Sequence, residues 1–273
     1  MTWTILVLVL AIALYLFGGM LIKGNGKKPA AGAMMAQQVI RVVAVILMAG
    51  CVCRLWTPYY LTSVNPAIVQ EMVAGMQEQQ NAEKNKAIRH FVRNNINELI
   101  GDAPIWGNKD AKNTIFLFSD YSCPYCRRVH AELARVMADR DDVRVVLKNF
   151  SIHGPLSDAP AKAVVAAKLQ GHDKAAALDK MLMAKEYYTQ ADLKDQSKIA
   201  EKVHANVMKL AKEAGLDTKR LEADMKGAEV AREMANVRDI ASRFDINGTP
   251  YLIIGEQAYP GAIPYAQIIQ ALN

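Results

Sequence analysis

One stretch, residues 114–137, limits this chain more than any other. An apolar run at 114–118 reads as a buried strand. A short polar turn follows, then Cys123-Pro124-Tyr125-Cys126, then a helical spacing of apolar residues at Val129, Leu133, Val136 and Met137. A CxxC between strand and helix places its first thiol at a helix N-terminus. Unpaired N–H groups and the positive end of the macrodipole there favour thiolate over thiol. Pro124 suits the first turn, where its missing N–H costs nothing. Two intervening residues bring the sulfurs onto adjacent turns, within reach of a bridge, and Arg127 and Arg128 add positive charge. Structural zinc is the weaker reading, because zinc wants four ligands and His90, His130, His153, His172 and His204 are scattered singly. A purely structural disulfide is weaker too, since this one closes almost no loop. The motif points to redox chemistry carried by the protein's own sulfurs, with no cofactor and no resident metal.

The four cysteines fall in two pairs, Cys51/Cys53 and Cys123/Cys126, so the CxxC is free of competing thiols outside the apolar N-terminal region. The net charge of +6 is spread over Lys and Arg interleaved with Asp and Glu. That pattern argues against a nucleic-acid partner. Residues 3–22 form an uncharged apolar run of about 20, the length of a membrane-spanning helix. They lack the charged start and small-residue cleavage site of a secretory signal. A basic loop, residues 23–29, separates them from a second apolar run, 42–53, flanked by Arg41 and Arg54. Trp56, Tyr59 and Tyr60 follow it like an interfacial belt. Twelve apolar residues are short for a span unless the arginines snorkel. With the basic loop in the cytoplasm, both termini face outward and the CxxC lies in an oxidising compartment. A competing reading takes Met48-Ala49-Gly50-Cys51 as an imperfect lipobox, with the true start at Met34 or Met35 and Cys51 acylated. The first reading makes residues 1–61 a membrane anchor, the second also places the main domain on the outer side of a membrane, and neither gives Cys53 a role.

Residues 62–101 form a helical stalk. Ile68, Met72 and Met76 make one apolar stripe, and Ile88, Val92, Ile96 and Leu99 a second, with a polar stretch between. Pro66 and Gly101 punctuate its ends. It packs on its own domain or on copies of itself as an oligomerisation stalk. Residues 102–273 follow as the main domain. A strand at 143–150 lies parallel to the first, making a βαβ unit. Residues 155–237 are Ala-rich and helical, broken at Gly171, Gly215 and Gly227, and read as an insertion between two halves of a sheet. A turn ending at Pro250 leads to a four-residue apolar strand, a short strand at 258–259, and a closing helix over 263–272.

Cys123-Pro124-Tyr125-Cys126 after an aromatic strand, a helical insertion, then Gly248-Thr249-Pro250 before a strand, resembles the DsbA-like branch of the thioredoxin superfamily. These are bacterial envelope thiol:disulfide oxidoreductases. The resemblance covers about residues 104–273. It implies an α/β thioredoxin fold with an inserted helical subdomain, with Cys123 as exposed nucleophile and Cys126 as recessed resolving thiol. It also implies Pro250 in a cis peptide with Thr249, lying against the disulfide. Thr249, Pro250, Pro124 and Tyr125 then meet an extended client peptide. Two departures stand out. Leu117 occupies the place where many relatives carry a buried glutamate that moves a proton at the recessed thiol; Lys148 and Asp120 are the candidates to replace it. Ser151 stands where relatives often place a proline. A CPYC motif with Thr before the cis proline is closer to isomerase and reductase-like members, which are commonly oligomeric. The resemblance implies an enzyme of the bacterial inner membrane, its catalytic domain in the periplasm, forming or isomerising disulfides in exported proteins. Its partners are cysteine-bearing clients, a redox protein that reoxidises or reduces the CxxC, the membrane, and further copies of itself. A Cu(I)-handling CxxC module, a reductase of periplasmic thiols and a tethered scaffold are the alternatives.

Overall fold

The run at 114–118 becomes the middle strand of a five-stranded sheet. The strands are β1 (Ile105–Gly107), β2 (Asn113–Ser119), β3 (Val143–Asn149), β4 (Tyr251–Ile254) and β5 (Gln257–Pro260), in the spatial order β1-β3-β2-β4-β5. Strands β2 and β3 are parallel and in register from Asn113↔Val143 to Ser119↔Asn149, while the other three pairings are antiparallel. This is the thioredoxin arrangement. The structure is a computed structural model and describes residues 2–17, 31–59, 66–195 and 197–273. The end of the first apolar run, the basic loop 23–29 and Tyr60 lie outside the described residues.

Successive strand residues point to opposite faces, and here both faces are covered, which explains the unbroken apolar runs. Ile115, Leu117, Val145, Leu147, Leu252 and Ile254 enter one core. That core is shared with α4 (Pro124–Asp139) and α11 (Tyr265–Leu272) and with five helices, α5 (Pro155–Ala167), α6 (His172–Ala184), α7 (Gln190–Leu193), α8 (Ile199–Glu213) and α9 (Thr218–Asp224). Phe116, Phe118, Val146, Tyr251 and Ile253 enter a second core on the other face. There they meet Val237, Ile240 and Phe244 of the α10 region (α10, Ala228–Arg243) and Ile88, Val92 and Leu99 of α3 (Pro66–Ile100). Helix α10 divides between the two cores: Val230 and Met234 enter the first beside the helices of the insertion, and Val237, Ile240 and Ala241 enter the second, so the change from insertion to sheet-covering helix falls within α10.

The chain divides into two compact units, residues 1–80 and 81–273. The division falls within α3, whose second half is built into the sheet-containing unit through the three buried side chains just named. In the first unit, α1 (Thr2–Phe17) and α2 (Ala31–Tyr59) pack on each other, with Ala11 and Ala44 buried. Helix α2 is longer than the apolar run 42–53. Residues Gln38–Thr57 make a 20-residue window of mean hydropathy 2.1, the one stretch among the described residues long and apolar enough to cross a membrane. Cys51 is buried within this helix and Cys53 is exposed.

Candidate active site

Cys123 is the N-cap of α4 in extended conformation, with Pro124 in the first turn. Its carbonyl accepts the N–H of Cys126 at 3.1 Å and that of Arg127 at 3.3 Å, so the motif is wound into the helix from its first residue. Both cysteines are free thiols. The loop between α10 and β4 arrives from across the sheet with a cis Thr249–Pro250 peptide. The Cys123 thiol donates to the Thr249 carbonyl at 3.4 Å. Thr249 and Pro250 thus stand beside the first sulfur, while Pro124 and Tyr125 are exposed at its rim, Tyr125 at 57%.

The resemblance implied an exposed Cys123. Here it is only 6% exposed, against 0% for Cys126, because its S–H is turned onto the Thr249 carbonyl. Burial pushes the Cys126 thiol up to about 12, and charge on Cys123 pushes the same way. The Asp120 N–H, which donates to Cys126 Sγ at 3.4 Å, and the hydroxyls of Thr249 and Ser119 oppose that rise. Those two hydroxyls have no hydrogen-bond partner of ordinary geometry among the described residues.

The two candidates for the missing buried acid separate cleanly. Lys148 follows Val146 at strand spacing and points into the second core, away from α4. Its ammonium donates to Glu233 at 2.5 Å, to Asn236 at 2.8 Å and to the Ile100 carbonyl at 3.4 Å. Burial pulls Lys148 down and Glu233 up, and their mutual attraction works against both shifts. This pair fastens α10 to the end of α3, on the wrong side of the sheet to reach Cys126. Asp120 is beside the motif, 1% exposed, and its carboxylate is filled with donors. Oδ1 accepts Ser122 N–H at 2.7 Å and the Ser157 hydroxyl at 2.6 Å. Oδ2 accepts the N–H groups of Ile152 at 2.8 Å and His153 at 3.2 Å.

Several contributors were out of reach of the sequence. Ser122 faces the Tyr187 hydroxyl at 3.2 Å, and Tyr187 donates to the Leu156 carbonyl at 2.9 Å, joining the CxxC turn to the insertion. Arg127 is more than a solubilising charge. It donates to the carbonyls of Met183 and Lys185 at the end of α6, where a cation meets the negative helix terminus. Ser151 donates to Asp158 in the first turn of α5 at 2.5 Å, which gives the residue at the usual proline position a local role. One turn beyond Cys126, His130 lies buried 3.4 Å from Asp179, which accepts the Tyr121 hydroxyl at 2.8 Å. A cleft of about 330 Å³ opens against Ser122, Pro124 and Arg127, closed on the other side by Glu186, Tyr188, Thr189 and Gln190. Only Asp120 carried a local signal, because an Asp accepting the N–H two residues on is an Asx-turn. Apart from Ser151–Asp158, seven residues apart, the other contacts join residues 30 or more apart in sequence.

Residues 99–273 match the sequence profile of the family described as thioredoxin. The chain belongs to the thioredoxin family. Among solved structures it is similar to a thioredoxin-like oxidoreductase from Silicibacter pomeroyi, 32% identical, with a TM-score of 0.57 over 65% of this chain and 95% of that one. It shares its fold with the thiol-disulfide exchange protein alpha-DsbA2 from Wolbachia pipientis, 18% identical, with a TM-score of 0.59 over 70% of this chain and 97% of that one. Among curated proteins it is 28% identical over 172 residues to a Na(+)/H(+) antiporter NhaA 1 of Mycolicibacterium gilvum. That match takes in 61% of this chain but only a quarter of the antiporter's length. Membership of the thioredoxin family, with these neighbours, supports a thiol–disulfide oxidoreductase.

Proposed function

We propose that this protein is a membrane-anchored thiol:disulfide oxidoreductase of the bacterial inner membrane, with its catalytic domain in the periplasm, forming or isomerising disulfides in exported proteins. The observation that carries the reading is the Cys123 sulfur at the start of α4, 3.4 Å from the Thr249 carbonyl beside the cis proline, with the Cys126 sulfur behind it. Cys123 is the nucleophile. A client reaches it by displacing the Thr249 carbonyl from the thiol, which frees that carbonyl to accept a backbone N–H of the client. Pro124, Tyr125 and Pro250 border the same approach.

With the enzyme reduced, the Cys123 thiolate attacks one sulfur of a client disulfide. The other client sulfur leaves as thiolate and takes a proton from solvent. The mixed disulfide then resolves in one of two ways. The client's own thiolate attacks it, completing an isomerisation, or Cys126 attacks Cys123 Sγ, leaving the enzyme oxidised and the client reduced. With the enzyme oxidised, a client thiolate attacks Cys123 Sγ, Cys126 leaves as thiolate, and a second client thiol completes the client disulfide. A redox partner restores the starting state, and no cofactor takes part.

Residues 1–61 are the anchor in this reading. The window Gln38–Thr57 has the length and hydropathy of a span, and Leu6, Val9 and Ile46, 57–64% exposed, offer apolar surface suited to lipid. Residues 62–101 are the helical stalk in this reading. Ile68, Met72 and Met76 remain exposed on the first half of α3, a face that a second copy would cover. The test uses the full chain in detergent micelles. A Cys126→Ser variant should accumulate mixed disulfides through Cys123 with a disulfide-bearing client protein, and Cys123→Ser should form none. Capture by Cys123→Ser, or wild-type turnover in that variant, would overturn the assignment.

A further inference from the structure

Asp120 binds the redox turn through every polar group it has. Its carbonyl accepts the N–H of Cys123 at 3.2 Å, and its own N–H donates to the sulfur of Cys126 at 3.4 Å. Its carboxylate gathers Ser122 from the turn, Ile152 and His153 from the loop after β3, and Ser157 from α5. The His153 imidazole, 45% exposed, adds a contact at 3.0 Å from Nδ1 to Oδ2. The Ser157 and Ser122 hydroxyls are themselves 3.1 Å apart, and Ser122 continues the chain to Tyr187. A carboxylate with two oxygens shared among five donors has no lone pair directed at a thiol proton. Its work is to fix backbone.

What it fixes is the donor at the resolving sulfur. Cys126 is wholly buried, and burial disfavours its thiolate. The Asp120 N–H is a main-chain donor aimed at that sulfur, and its direction depends on the turn at 120–122 keeping its shape. The carboxylate holds that shape from both sides, through Ser122 within the turn and through 152–157 outside it. Nothing comparable ties Asp120 to the sulfur of Cys123, which faces the Thr249 carbonyl instead.

We propose that Asp120 is a positioning residue for the resolving half of the exchange, acting through its carboxylate to keep its own N–H on Cys126. In that step the Cys126 thiolate attacks Cys123 Sγ of the mixed disulfide. The Cys123–Cys126 bond forms, the bond from Cys123 to the client breaks, and the client sulfur leaves with the electron pair and is protonated by solvent. Asp120 makes and breaks no bond in this. It lowers the cost of the buried thiolate that begins the step. The proposal rests on the reading of Cys123 and Cys126 as the exchanging pair.

The experiment follows a disulfide-bonded fluorescent peptide with the reduced full chain in detergent, timing mixed-disulfide formation and decay separately. It also measures the reduction potential against glutathione for wild type, Asp120→Asn and Ser157→Ala. An amide at 120 keeps the shape but can accept on one side only, leaving an NH₂ against either Ser122 and Ser157 or the 152–153 N–H groups. Decay in Asp120→Asn should slow by about tenfold, the effect of one charge-assisted hydrogen bond lost at the turn. Formation should change less than threefold, and the potential should shift because the buried thiolate is less well held. Ser157→Ala, which removes a donor outside the turn, should slow decay in the same direction by a few-fold. It serves as the deciding variant if Asp120→Asn does not fold. Unchanged decay in a folded Asp120→Asn, or unchanged decay in Ser157→Ala when it is the deciding variant, overturns the proposal. Equal loss of formation and decay does so as well. If the wild-type chain forms no mixed disulfide at all, the redox reading fails, and this inference with it. A wild-type chain that traps normally beside unaffected variants removes Asp120 alone.

Discussion

Replacing Glu233 by Gln separates the buried Lys148–Glu233 pair from the redox chemistry. The ammonium and carboxylate are 0% and 1% exposed and 2.5 Å apart. The Lys148 ammonium would keep Asn236 and the Ile100 carbonyl but lose its counter-charge. Stranding one charge of a buried pair costs about 3–5 kcal/mol. With a denaturant dependence of about 2 kcal/mol per molar, the urea midpoint of the sheet-containing unit should fall by roughly 2 M. The double variant Lys148→Met with Glu233→Leu removes both charges. It should recover to within about 1–2 kcal/mol of wild type, the remaining penalty coming from the Asp102 N–H that loses Glu233 as acceptor and from Asn236 Oδ1 and the Ile100 carbonyl that lose Lys148 as donor. Urea unfolding of the full chain in detergent, read by circular dichroism, measures the midpoints, and peptide mixed-disulfide decay measures chemistry on the same samples. The decay rate of the double variant should match wild type, because the pair lies across the sheet from Cys126. Two results would refute the reasoning. One is a double variant as unstable as the sum of its single changes. The other is a folded double variant that resolves mixed disulfides more than tenfold slower, which would make Lys148 the proton route after all.

Other outcomes follow from the same coordinates. Gly101 sits at φ +56°, and a Cβ there would come 2.7 Å from Glu233 Oε2 and 3.0 Å from Asn236 Oδ1. Gly101→Ala should therefore lose roughly 1–3 kcal/mol in urea unfolding, and no loss would show that this turn relaxes freely. The Arg140 guanidinium, bonded to both oxygens of Asp142, holds that carboxyl down at about 2 from its ordinary 3.8. A carboxyl with a depressed folded pKa contributes stability that is complete above pH about 4 and lost as pH falls through about 2. Asp142→Asn should flatten the dependence of stability on pH within that window, and an unchanged acid profile would exclude the contact. Tyr121→Phe removes the hydroxyl that donates to the buried Asp179 and should cost about 1–3 kcal/mol, measured by urea midpoint; a neutral result would show that Asp179 does not depend on this donor.

The sheet was legible because both its faces are buried. Strands such as 114–118 and 251–254 are unbroken apolar runs bounded by turn residues, and the CxxC marks the strand-to-helix junction that orients them. The double role of 228–243 was not legible, since an Ala-rich amphipathic helix reads alike whether it covers the sheet or belongs to an insertion. Val230 and Met234 join the insertion's core, while Val237, Ile240 and Phe244 share a core with Phe116 and Phe118. The stalk's two readings were left open for a related reason. Ile88, Val92 and Leu99 have the same spacing as an oligomerisation stripe, and only the fold shows these three packed in their own domain. In the candidate site, Cys123 and Cys126 stand out as a local motif, and Pro250 was singled out through the family resemblance. The network through Ser157 and Tyr187 joins residues brought together by the whole domain, so no local pattern announces it.

The proposed function requires Cys123 and Cys126 to exchange a disulfide with other thiols. Equilibrating the full chain with mixtures of reduced and oxidised glutathione, then mapping alkylated peptides, tests it most directly. A Cys123–Cys126 disulfide should form and break reversibly across the titration, with glutathione captured at Cys123 when Cys126 is Ser. A pair that stays reduced under oxidising mixtures, or glutathione captured at Cys126 instead, would contradict it.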